Sequence, residues 1–156
     1  MQVLHPRQGL LSLPLALAST LAAAQVTVKD PWVRGTVAQQ KASGAFMQIT
    51  SAAGGRLVGA SSPVAGVVEI HEMAMDGNVM KMRAIPGLAL PAGQAVELKP
   101  GGFHVMLMDL KQALQPGQTV PITLVIEGAG GQRETVQVSA SVRALNQGAA
   151  PMQHRH

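Results

Sequence analysis

The stretch EIHEMAMDGNVMKMRAI, residues 69–85, decides the fold class of this protein. At its centre is the dipeptide Asp76-Gly77, one of the strongest two-residue signals for the turn of a β-hairpin. Short runs containing Ile, Val and Met stand on both sides of this dipeptide, and such runs are typical of β-strands. The stretch therefore predicts two antiparallel strands joined by a tight turn.

The same alternation of short apolar runs and turn residues continues through the chain from residue 26 onward. Runs of Val, Ile, Thr, Leu and Met are interrupted by Gly, Pro and Asp, and no segment carries a convincing pair of helix caps. The predicted strands cover residues 26–34, 44–51, 56–61, 65–75, 79–85, 95–98, 103–109, 119–127 and 133–143. Many short strands at this spacing predict an all-β domain, either an antiparallel sandwich or a barrel.

The two ends of the sequence differ from this β-rich part. Residues 1–24 combine Arg7, the apolar run LLSLPLALASTL and three alanines, which is the pattern of a secretory signal peptide cut after Ala24. The apolar run is too short to span a bilayer, and whether cleavage occurs is left open by the pattern. We therefore expect an exported, periplasmic protein with a signal peptide over 1–24, one domain over 25–143 and a flexible tail over 144–156.

The composition excludes several classes of protein. The 156 residues contain no cysteine, so disulfides, thiolate zinc sites, iron–sulfur clusters and c-type haem are excluded, and no thiol is available for a lipid anchor. The formal net charge is +4, and the basic residues are scattered singly. With one Trp, two Phe and no Tyr, the chain also lacks the stacking aromatics that nucleic-acid binding proteins use.

Methionine and histidine are concentrated in one part of the chain. Most of the nine methionines lie between residues 73 and 108, together with two of the five histidines. If Asp76 and Gly77 are the two turn residues, His71 lies opposite Met82, with Cβ atoms about 5 Å apart. A three-residue turn would move one strand by one residue and break this pairing.

The predicted strand at 103–109, which reads FHVMLMD, has an unusual face. Because side chains alternate along a strand, His104, Met106 and Met108 share one side, and apolar residues occupy the other. If this strand lies beside the hairpin, His71 and Met82 converge with His104 and Met106 on one point.

Two interpretations of this cluster remain open. Thioether and imidazole ligands without thiolate or carboxylate favour Cu(I) over calcium, magnesium, zinc or a blue-copper centre. Alternatively, the methionines fill irregular gaps in the core and the histidines are structural, as in a β-sandwich that binds no metal. Trp32 and Phe46 are predicted to belong to the core.

The spacing H-x10-M-x21-H-x-M, which begins at His71, resembles the copper-site motif of the periplasmic PCuAC copper chaperones. The surrounding stretches DPWVR, ASGAFMQI, LKPGGFHVMLMDLKQAL and VPITLVIE are also similar to that family, and the resemblance covers residues 26–143. It implies a cupredoxin-like, Greek-key β-sandwich. It also implies one Cu(I) ion bound by His71, Met82, His104 and Met106, and leaves Met73, Met75, Met80 and Met108 outside the ligand set.

The resemblance implies a carrier rather than an enzyme. Members of the family are associated with copper delivery to the CuA-bearing subunit of cytochrome c oxidase, often alongside a Sco-type thiol protein. Some members bind Cu(II) through a tail rich in His and Met, so Met152, His154 and His156 are candidates for a second copper site. Three such residues are few for a metal-binding tract, and a solvated tail without metal is the favoured alternative. The alternatives are a copper redox enzyme that reacts with superoxide, and the structural sandwich without metal.

Overall fold

The computed structural model describes residues 26–144 and contains ten β-strands and no helix in that range. The strands are β1 (Val26–Arg34), β2 (Ala42–Ser51), β3 (Gly55–Ser61), β4 (Ala65–Asp76), β5 (Val79–Ala84), β6 (Leu88–Leu90), β7 (Ala95–Leu98), β8 (His104–Leu110), β9 (Thr119–Glu127) and β10 (Arg133–Arg143). The sequence predicted all of them except β6, which lies in a loop rich in Pro and Gly. Within residues 26–144, no helix meets the length and hydropathy needed to cross a membrane. The predicted signal peptide and all of the predicted tail except its first residue lie outside the described residues.

The strands form a mixed sheet in the order β5-β4-β8-β2-β1-β10-β9-β3-β6, with β7 paired to β2. Every pairing is antiparallel except that of β1 with β10, which is parallel where Trp32 and Val33 lie beside Ser141 and Val142. The sheet folds over, so that Leu107 of β8 is buried in the same core as residues of β3 and β9. The predicted all-β, cupredoxin-like sandwich is confirmed, and the parallel pairing is a feature that local sequence patterns do not predict.

Strand β8 has the two faces that its sequence predicts. Val105 and Leu107 are completely buried in the core between the two halves of the sheet. Burial of such side chains stabilises the fold by roughly 1.5–3 kcal/mol each. The alternate residues His104, Met106 and Met108 therefore project from the outer side of the sheet.

The β4–β5 hairpin differs from its predicted register. Asp76 pairs with Val79, so the turn residues are Gly77 and Asn78 rather than Asp76 and Gly77. Gly77 has a φ of 63°, and a positive φ at the first turn position is what a type II′ hairpin turn requires. Both dipeptides are good hairpin signals, which is why the sequence alone did not separate them.

The shift in the hairpin register changes which residues lie opposite each other, but each side chain stays on the predicted face of the hairpin. His71 lies opposite Ala84, not opposite Met82 as predicted, and Met82 lies opposite Met73. Moving the turn by one residue displaces each pair by two positions, and side chains alternate with a period of two. Met82 consequently remains on the same face as His71, in the diagonal position.

Candidate metal centre

The pairing of β4 with β8 brings the two histidines of the described chain together. His71 lies directly opposite His104, and their ring centroids are 5.6 Å apart. Two residues further along each strand, on the same face, Glu69 lies opposite Met106. Together with Met82 on β5, all four residues that the sequence predicts as ligands lie on the outer face of strands β5, β4 and β8.

His104 is buried, with 4% of its surface exposed, although it is the first residue of β8. Its Nδ1–H donates a hydrogen bond to the carbonyl oxygen of Gly102 at 2.9 Å. Burial lowers the pKa of His104, the Gly102 carbonyl opposes this, and the nearby His71 and Arg34 lower the pKa further. The ring is therefore favoured in its neutral form, with the lone pair on Nε2.

His71 is oriented in a similar way by a carboxylate. Its Nε2–H donates to Oε2 of Glu69, two residues earlier on the same strand face, at 2.8 Å. The lone pair is then on Nδ1. A carboxylate or carbonyl that receives the second N–H is the usual support of a metal-binding histidine, because it selects the tautomer and holds the ring.

The nitrogen that remains free on each ring has no partner. Among the described residues, three buried side-chain atoms lack a hydrogen bond, and two of them are Nδ1 of His71 and Nε2 of His104. An unsatisfied buried polar atom costs about 1–3 kcal/mol, so a neighbouring pair requires an explanation. A metal ion held between the two rings would supply the missing partner for both.

Sulfur atoms are available beside this histidine pair. Met82, Met106 and Met73 line the same open cavity as His104, and its volume is about 290 Å³. His71 does not line this cavity; it adjoins the site through its contact with the His104 ring. Met82 is 52% exposed, whereas Met106 is half-buried. Met73 lies directly opposite Met82. The sequence pattern left Met73 outside the ligand set, whereas the structure places it among the residues that line the cavity.

The other cavity wall comes from β1 and β2. The Phe46 ring lies 6.2 Å from that of His104 and stacks against Trp32 at 4.6 Å. Both aromatic residues are buried as predicted, although neither belongs to the core cluster between the sheets. Phe46 lines the cavity, and Trp32 supports it from behind without lining the cavity. The guanidinium of Arg34, also a lining residue, lies 5.5 Å from the Phe46 centroid. Phe46 and Arg34 carried no signal in the sequence that linked them to a site.

The donor set limits the ions that fit. Within residues 26–144, no group of three His, Asp or Glu side chains is arranged to hold a metal ion. Any ion bound here would depend on thioether sulfur in addition to the two imidazoles. Soft, uncharged donors of this kind suit Cu(I) and suit calcium, magnesium or zinc poorly.

These observations define a β-sandwich with a candidate nitrogen–sulfur metal site on its outer face. The chain matches the family described as putative lipoprotein LpqE-like over residues 26–138, and it belongs to that family. Putative lipoprotein Lxx21020 of Leifsonia xyli is 34% identical over 100 residues, covering 64% of this chain and 60% of that protein. Uncharacterized protein RP573 of Rickettsia prowazekii is 35% identical over 112 residues, covering 68% and 62%. The chain thus spans about three-fifths of the length of these relatives.

Solved structures of similar fold are PCuAC domains and related proteins. The copper-bound PCuAC domain from PmoF2 has a TM-score of 0.63 and 26% identity, covering 78% of this chain and 96% of that one. Apo-DR1885 from Deinococcus radiodurans has a TM-score of 0.58 and 30% identity, covering 96% and 100%. The Cu(I) form of DR1885 has a TM-score of 0.54 and 31% identity, covering 82% and 83%. The predicted resemblance to PCuAC proteins is confirmed.

Proposed function

We propose that this protein is a carrier of Cu(I), which it binds through His71, His104, Met82 and Met106. The observation that carries the proposal is the pair of buried, unpartnered nitrogens on neighbouring rings, with thioethers lining the cavity beside His104. The similarity to a copper-bound PCuAC domain and to the Cu(I) form of DR1885 supports the choice of ion.

The charges around the site favour the lower oxidation state of copper. Two imidazoles and two thioethers are neutral donors, so they do not offset the second positive charge of Cu(II). The guanidinium of Arg34 lines the same cavity and penalises a dication more than a monocation. The carboxylate of Glu69 accepts the hydrogen bond from Nε2 of His71, whereas the free nitrogen of that ring is Nδ1, so Glu69 supports the ring and is not one of the proposed ligands.

The exposure of the site suits transfer better than turnover. Met82 is half-exposed on β5, a strand whose side chains are all exposed. A ligand from a recipient can reach the ion there before the original ligands leave. This exposure also argues against a structural sandwich in which the methionines serve only as packing, since exposed side chains fill no gap. The superoxide-reactive redox enzyme is a separate alternative, which turnover assays on the copper-loaded protein would test.

We place this carrier in the periplasm, exported by the predicted signal peptide at residues 1–24. The description of the family as putative lipoproteins supports export in general. By the resemblance to PCuAC chaperones, the recipient is the CuA-bearing subunit of cytochrome c oxidase, and a Sco-type thiol protein is a candidate partner. The candidate residues for a second copper, Met152, His154 and His156, lie outside the described residues.

An anaerobic Cu(I) titration against a chromophoric chelator, combined with X-ray absorption, tests the proposal. We expect one tight equivalent with both nitrogen and sulfur scattering. Met106→Leu should weaken binding, while the matched control Met108→Leu, on the same face of β8 but paired with Val67, should not. Failure of the wild-type protein to compete for Cu(I) would refute the proposal.

A further inference from the structure

The β4–β5 hairpin extends beyond the rest of the sheet. The pairing of β4 with β8 ends at His71 and His104, and residues 72–83 continue as a two-stranded arm. All six side chains of β5 are exposed. This hairpin arm therefore has two solvent-facing sides, and its side chains do not contribute to the core.

One side of the hairpin arm carries charges that pair with each other. Arg83 lies 2.7 Å from Glu72, and Lys81 lies 2.9 Å from Asp76. Exposed pairs of this kind stabilise a fold by less than about 1 kcal/mol each. Their main consequence is that these four charged groups stay on one side of the hairpin arm, so that the other side of the arm carries no charge.

The other side of the hairpin arm consists of methionines alone. Met73 lies opposite Met82, and Met75 lies opposite Met80, between the histidine pair and the turn. Met75 is 60% exposed and Met80 is 49% exposed. Large apolar side chains are normally buried when packing is their role, so exposure of a matched pair points to a different role.

The two methionine pairs follow one another along the hairpin arm, from the turn towards the histidine pair. Directly opposite residues have Cβ atoms about 5 Å apart, close enough for two thioether sulfurs to contact one ion. Consecutive pairs on the same face are about 6.7 Å apart along the strands. The pair Met73–Met82 lies between the outer pair and the histidines, and both of its members line the cavity with His104.

We propose that Met75 and Met80 form a second, weaker Cu(I) site, through which copper reaches and leaves the histidine site by way of Met73 and Met82. This inference rests on the proposed function. The transfer is a ligand exchange in which copper remains Cu(I): each step forms one bond from copper to sulfur or nitrogen and breaks another. Neutral sulfur donors, with the carboxylates held on the opposite side, select a soft monovalent ion.

The double variant Met75→Leu, Met80→Leu tests this role because leucine keeps the apolar volume and removes the sulfur. Val79→Ala is the matched control, since Val79 is exposed on the same hairpin arm and lies opposite Asp76 on the charged side. The first measurement is an NMR titration with Cu(I) of protein labelled at the methionine methyl groups. The Met75 and Met80 signals should shift only beyond the first equivalent.

The second measurement is the rate of Cu(I) transfer to a small chromophoric chelator. The double variant should retain the tight equivalent and transfer it at least about fivefold more slowly, while Val79→Ala transfers at the wild-type rate. If the wild-type protein binds no Cu(I), the proposed function itself fails. If it binds one tight equivalent and the double variant transfers at the wild-type rate, only this inference is overturned. A second equivalent that shifts the Met152 signal instead of Met75 and Met80 also overturns it.

Discussion

Replacement of Glu69 by alanine should weaken Cu(I) binding even though Glu69 is not one of the proposed ligands. Its carboxylate accepts the Nε2–H of His71 at 2.8 Å and thereby leaves the lone pair on Nδ1, the buried nitrogen without a partner. Without Glu69, His71 can adopt the other tautomer, and its ring loses one of its restraints. A larger share of the free protein then has His71 in a form that cannot bind the ion in the same place.

The size of the effect follows from the position of Glu69. Loss of a hydrogen-bond partner behind a metal-binding histidine typically costs 10- to 100-fold in affinity, or about 1.4–2.7 kcal/mol. The Glu69 side chain is 42% exposed, so water can partly replace it as the acceptor. We therefore expect the lower end of this range, about 10-fold, for Glu69→Ala, and a smaller loss of about 3-fold for Glu69→Gln, which keeps a neutral acceptor.

Anaerobic competition against a chromophoric Cu(I) chelator measures these affinities. Glu72→Ala is the matched control, because it removes a carboxylate from the same strand but from the opposite face, where Glu72 pairs with Arg83. If Glu69 acted only through its negative charge, Glu72→Ala and Glu69→Gln would weaken binding as much as Glu69→Ala. That result, or a Glu69→Ala protein that binds within twofold of wild type, would refute the reasoning.

Three further predictions concern stability and the cavity wall. Free Cu(I) at a hundred times its Kd should raise Tm by on the order of 5–10 °C in scanning calorimetry, because the ion binds only the folded state. Leu107→Ala should lower the free energy of unfolding by about 2–5 kcal/mol in urea titrations, since Leu107 is fully buried; an unchanged midpoint would contradict its place in the core. A Cβ at Gly44 would lie 2.8 Å from Cζ of Phe46, whereas at Gly59 the nearest atom is 3.7 Å away. Gly44→Ala should therefore displace the ring and weaken Cu(I) binding, and Gly59→Ala should leave the affinity unchanged, as measured by chelator competition.

The strands and their faces could be predicted because they depend on local patterns. The alternation along β8 places Val105 and Leu107 in the core and His104 on the outer face, as the period of two requires. The turn position depends on a smaller difference, because Asp76-Gly77 and Gly77-Asn78 both suit a tight turn. The predicted pairing of His71 with Met82 was wrong for that reason, while the shared face was predicted correctly.

The surroundings of the candidate site were not predictable, because they depend on contacts between distant parts of the chain. Trp32 and Phe46 were expected in the core, and nothing in the sequence placed Phe46 beside His104. The roles of Glu69 and Gly102 as acceptors for the two rings depend on side-chain geometry. The free nitrogens that support metal binding become visible only when these hydrogen bonds are known.

The parallel pairing of β1 with β10 has a consequence for the order of folding. Asp30 and Arg143, which form an ion pair next to this pairing, are separated by 113 positions in the chain, and contacts of such long range form slowly. The four ligands of the proposed Cu(I) site precede β9 and β10, yet residues of these late strands belong to the same buried core as Val105 and Leu107 of β8. Ala140 and Val142 of β10 are part of that core, so the core beneath the histidine pair is complete only when β10 is in place. Copper loading should therefore follow translation and folding of the last described strand.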